Sequence, residues 1–117
     1  SRRGASAGGG TLAWLAPEVL NNIGSGGSAR CSGDVYSFGR FIAYTATGIR
    51  PLTGWSVPQI RRALASSSPP PAVWPSGCPF ERSCRPLVQE CLRAAEAERP
   101  SILEVHRRLL LLPDVMH

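Results

Sequence analysis

The stretch from Gly33 to Thr47 constrains the fold more than any other part of the sequence. Val35, Phe38, Phe41, Ile42, Ala43 and Ala46 place apolar side chains on nearly every side of a helix. Such a helix belongs in a core, with other elements packed around it. The spacing predicts that Gly48 ends it, since glycine accepts the left-handed backbone that closes a helix.

The surrounding elements are expected to be helices as well. Ala16 to Asn22 suits a short one: Pro17 fits a first helical turn and Glu18 complements the positive helix N-terminus. Ser56-Val57-Pro58-Gln59 has the form of a capping box and predicts a helix to about Ala65. Glu81 to Ala95 carries Cys84, Leu87, Val88, Cys91, Leu92 and Ala95 at helical spacing. Pro86 is expected in its first turn, with the regular part starting near Arg85. Ser101-Ile102-Leu103-Glu104 predicts a second capping box. The helix it opens has Ile102, Val105, Leu109 and Leu112 on its apolar face, and Pro113 stops it. Gly24 to Ala29 reads as a flexible loop, and Ser66 to Pro71 as an extended linker without P-x-x-P spacing. No convincing alternating strand and no internal repeat occurs. The expected class is all-α, with five or so helices joined by glycine- and proline-rich loops.

Composition excludes several classes. With 117 residues the chain is one domain or part of one. An apolar fraction of 43% against 18% charged residues argues for a packed core, not a charged tail. All thirteen basic residues are arginines, giving a net charge of +5 with no lysine. Their pairs, Arg2-Arg3, Arg61-Arg62 and Arg107-Arg108, form no long run and no aromatics interleave with them, so no nucleic-acid partner is expected. Cys31, Cys78, Cys84 and Cys91 lack zinc or redox spacing and read as reduced thiols, with Cys84 and Cys91 in the core. No apolar run approaches the roughly 20 residues that span a bilayer, so no membrane partner is expected in this segment. No secretory segment is visible, and the expected location is the cytoplasm. The chain opens on Ser1 and not Met, which leaves room for upstream sequence.

Five motifs occur in order. They are G-T-x-x-W-x-A-P-E from Gly10 to Glu18, D-V-Y-S-F-G from Asp34 to Gly39, T-G-x-x-P from Thr47 to Pro51, L-V-x-x-C-L from Leu87 to Leu92, and R-P-S from Arg99 to Ser101. Together they resemble the C-terminal lobe of a eukaryotic protein kinase, from the end of the activation segment to the last helix, over about residues 10 to 112. Thr11, Trp14 and the D-V-Y-S-F-G form look like the tyrosine-kinase-like group of serine/threonine kinases. The resemblance implies a helical portion of a fold whose parent is α+β. It implies an activation-segment loop over residues 1–9, a partial kinase domain over 10–112 and a tail over 113–117.

The resemblance also assigns roles. Glu18 and Arg99, 81 positions apart, would form an ion pair tying the activation-segment end to the loop before the last helix. Asp34 would hold backbone amides of a catalytic loop that this sequence does not contain. Thr11 would contact a catalytic aspartate, and Leu12, Ala13, Trp14 and Leu15 would line the floor under a protein substrate. Ser1, Ser6 and Arg2-Arg3 fall where an activation loop would be phosphorylated and ordered.

The phosphoryl-transfer residues of the family are missing. There is no lysine, and no H-R-D or D-F-G string. His106-Arg107-Arg108 lies on the wrong side of the other motifs, and neither His106 nor His117 has a ligand cluster around it. Gly24-Ser25-Gly26-Gly27-Ser28-Ala29 matches G-x-G-x-x-A but follows no strand and lacks an acidic partner. ATP and Mg are therefore expected for an intact relative, with no cofactor, metal or catalytic residue in this chain. The implied function is a partial serine/threonine kinase domain that supplies the substrate side. The alternative is a truncated or degenerate relative that docks proteins through a face around Trp55, Ile60 and Leu64. Exposed apolar surface on Phe38, Phe41 and Ile42 would also follow from a lobe cut inside its activation segment.

Overall fold

The structure is a computed structural model that describes residues 12–21, 31–66 and 69–112. Among these residues there are five α-helices and no strand: α1 (Pro17–Asn21), α2 (Cys31–Thr47), α3 (Val57–Ala65), α4 (Glu81–Cys91) and α5 (Ile102–Leu110). A 3-10 turn, Glu96–Glu98, lies between α4 and α5. The all-α expectation holds for the described residues.

The central segment does form the axis of the molecule. Val35, Tyr36, Ile42 and Ala43 of α2 are buried with Cys84, Leu87, Val88 and Cys91 of α4 and Val105 of α5. Gly39 allows the closest approach: a Cβ there would lie 2.5 Å from the Cβ of Cys91. A second, smaller cluster buries Leu12, Ile60 and Leu64, with Leu15, Leu20, Leu52 and Val57 against it. It joins the segment before α1 to the inner face of α3. Gly48 closes α2 at φ +76°, with its N–H donating to the Tyr44 carbonyl.

At α3 the capping box forms in both directions. The Gln59 N–H donates to Ser56 Oγ at 3.2 Å, and the Ser56 N–H donates to Gln59 Oε1 at 2.8 Å. The second box forms by half. The Glu104 N–H reaches Ser101 Oγ, but the Glu104 carboxylate turns to Arg107, where two charge-assisted hydrogen bonds outweigh one amide.

Several expectations give way to packing. α4 starts at the expected Glu81 but is regular from there and not only from near Arg85, so Pro86 lies inside it and outside its first turn. The proline removes the bond to the Arg82 carbonyl, and Pro86 and Arg82 are both exposed, where that loss costs least. The extra turn brings Cys84 into the core beside Phe80. α4 also ends at Cys91, and Ala95 is exposed in extended backbone before the 3-10 turn. Ile102 is 48% exposed, and of the apolar face expected on α5 only Val105 is fully buried. α2 is not apolar-packed all round either: Phe41 is 50% exposed and Thr45 faces solvent. Of Phe38, Phe41 and Ile42, Ile42 is buried, and the other two line an open groove.

Candidate functional site

The segment before α1 is held from three sides. Leu12 to Leu15 makes a tight turn closed by the Leu15 N–H on the Leu12 carbonyl at 3.2 Å. Leu12 and Ala13 are buried, with Leu12 in the cluster with Ile60 and Leu64. Trp14 sets its ring edge-on to Tyr44 of α2, with centroids 6.1 Å apart. Ser37 of α2 donates its hydroxyl to the Trp14 carbonyl at 2.8 Å. Of the four residues expected to floor a substrate site, Trp14 and Leu15 are thus half-buried and the other two serve as anchors. Thr11 lies outside the described residues, as do Ser1, Ser6, Arg2, Arg3 and the Gly24–Ala29 segment.

The next anchor is an ion pair. Arg99 Nη1 and Nη2 donate to the two Glu18 oxygens at 2.6 and 2.8 Å. The remaining Arg99 donors reach the carbonyls of Arg93 (2.7 Å), Ser32 (3.0 Å) and Ala94 (3.2 Å). A guanidinium has five N–H groups, and here each has an acceptor. The Arg99 side chain is wholly out of water, with its guanidinium 5.1 Å from the centre of the Tyr36 ring. One buried side chain therefore links α1, α2 and the loop after α4. Asp34, in the first turn of α2, is exposed and makes no hydrogen bond to the described residues; it sits where the helix N-terminus favours a carboxylate.

A cleft of about 470 Å³ opens beside this segment, lined by Ala13, Trp14, Tyr44, Arg50, Pro51, Leu52, Thr53, Trp55 and Ile60. Trp55 is 42% exposed at its edge, whereas Ile60 and Leu64 are buried. The docking face expected around all three therefore shrinks to Trp55, because α3 turns its two aliphatic residues onto Leu12. Tyr36 and Ser37 entered the reading of the sequence only as letters of the D-V-Y-S-F-G motif, with no contact assigned, and Tyr44 did not enter it. The available signal was their polar atoms inside an otherwise apolar helix. Arg40 gave the same signal more strongly, as a charge in the middle of that stretch.

No group of three His, Cys, Asp or Glu side chains suited to a metal is found among the described residues. His106 is exposed on α5, while Arg107 and Arg108 pair with Glu104 and Glu90. Comparison with known proteins is decisive at this point. Residues 3–109 match the family described as protein tyrosine and serine/threonine kinase. The chain belongs to the protein kinase family. It is 30% identical over 106 residues to a protein of Acanthamoeba polyphaga mimivirus named as a serine/threonine-protein kinase/receptor, covering 90% of this chain and 6% of that protein. It is 35% identical to a probable serine/threonine-protein kinase of Dictyostelium discoideum, covering 88% and 9%. Guanylate cyclase 2D of Rattus norvegicus is 34% identical over 102 residues, covering 81% and 9%. The chain spans less than a tenth of the length of these relatives. It is a partial kinase domain whose only regular elements among the described residues are helices, and no described helix is long and apolar enough to cross a membrane.

Proposed function

We propose that this chain is the substrate-side lobe of a serine/threonine kinase of the tyrosine-kinase-like group, acting in the cytoplasm. In the complete enzyme the ATP γ-phosphate would pass to a protein hydroxyl. Residues 10–112 would form the lobe portion, with 1–9 and 113–117 as flanking segments. The observation that carries the reading is the Glu18–Arg99 pair, which locks the end of the Thr11–Leu15 segment against α2. Trp14 and Leu15 would then face the substrate, with Thr11 ahead of them, while Leu12 and Ala13 support them from below.

The residues of this chain do not fit ATP or Mg. A lysine for the phosphates and the metal-binding aspartate and asparagine of H-R-D and D-F-G motifs are absent from the sequence. Catalytic parts and cofactors would lie in other sequence, so no chemical step is routed through this lobe. A second reading, a degenerate kinase relative that binds proteins, is supported by the relatives named as guanylate cyclases, which carry a matching segment under a different activity. Sequencing the transcript upstream of Ser1 separates the two. A frame encoding a strand lysine, H-R-D and D-F-G is the expected result. A start codon close before Ser1, with none of these motifs, would replace the kinase reading by the docking one.

A further inference from the structure

Two arginines are buried among the described residues, and their surroundings differ. Arg99 has a carboxylate. Arg40 has none, although it is only 2% exposed. Its Nη2 donates to the Pro70 carbonyl at 2.6 Å and to the Tyr36 hydroxyl at 3.1 Å, and its Nε has no partner. A buried charge without a counter-charge is costly, and the surrounding protein screens its field weakly. Arg40 lines a cavity of about 430 Å³ between the C-terminal half of α2, the loop after it and the extended segment near Pro71. No Asp or Glu lines that cavity. Arg50 stands exposed in its wall, and the ion pairs formed between described residues engage other arginines: Arg85, Arg99, Arg107 and Arg108.

The cavity adjoins the cleft beside Trp14: Arg50, Pro51, Leu52, Thr53 and Trp55 line both. We infer that it receives an acidic side chain, Asp or Glu, of the protein that lies across this face. The inference rests on the reading of the face as substrate-side and adds a sequence preference to it. Arg50 contacts the carboxylate from the wall through charge-assisted hydrogen bonds. Arg40 acts from behind, supplying positive potential through a mainly apolar lining. Complementary charge of this kind decides which partner binds more than how tightly any partner binds.

The test is fluorescence anisotropy of the full chain with two labelled peptide pools, identical except for one central position fixed as Glu or as Gln. The Glu pool is expected to bind about tenfold tighter at low ionic strength, equivalent to about 1.4 kcal/mol. Arg50→Gln and Arg40→Met should each close that gap and leave the Gln pool unchanged. Should Arg40→Met lose its helical circular dichroism, Arg50→Gln carries the test alone. Equal binding of both pools, or a Glu preference that survives Arg50→Gln, overturns the inference and spares the substrate-side reading. Binding of neither pool overturns both.

Discussion

Arg99 sits out of water with every N–H matched, so its worth depends on all its partners staying in place. Removing one member of a buried pair leaves the other uncompensated, at a cost of about 3–5 kcal/mol. Urea unfolding should place Arg99→Met and Glu18→Gln in or near that range. The double variant should lose less than the two single losses added together, because the pair fails as a unit. Strict additivity would mean that the two side chains do not interact. Two neighbouring residues on α4 contribute to the pH dependence of stability. A hydrogen bond from Arg108 holds the Glu90 carboxyl below its ordinary range, so folding favours the ionised form. That contribution is present above the ordinary carboxylate range and is lost as pH falls through it. Burial pushes the Cys91 thiol up to about 11. Folding there favours the neutral form, so stability is lost as pH rises from the ordinary thiol range toward about 11. Urea midpoints measured across pH should fall at both ends, and Glu90→Gln should make the acid limb shallower and leave the alkaline limb unchanged.

At the scale of elements, the contact of α2 with α4 decides whether the lobe holds together. Gly39→Ala would push a methyl group onto the backbone-near Cβ of Cys91, which has no rotamer to move into. Overpacking of this kind costs about 1–3 kcal/mol, read as a lowered urea midpoint. An unchanged midpoint would show that the helices are not so close. This level also shows where the sequence was legible. The caps of α3 and the Cys84–Leu87–Val88–Cys91 stripe follow from local rules, since cap chemistry and periodicity act within a few residues. The regular turn ahead of Pro86 does not: Cys84 is buried and Phe80 packs against the core, and α4 is helical from Glu81 against the local preference of the proline. Ile102 and Ala95 fail for a related reason. Periodicity names a face but cannot say where the neighbouring helix ends.

Among the described residues, an open apolar groove runs against the main core and shares Ile42 and Cys84 with it. Phe38, Phe41, Ala46, Phe80 and Leu109 line a groove of about 270 Å³, with Phe38 and Phe41 stacked at 6.0 Å. The Glu18–Arg99 pair was legible because both residues lie in recognisable motifs. Arg40 was not, because the sequence displays a charge in an apolar helix without displaying what surrounds it. The central claim is that this lobe presents a substrate-side face and holds none of the phosphate chemistry. Isothermal titration of the full chain with Mg-ATP, on material whose helical circular dichroism confirms folding, tests that claim most directly. The account predicts no saturable heat of binding. A saturable isotherm for Mg-ATP would contradict it.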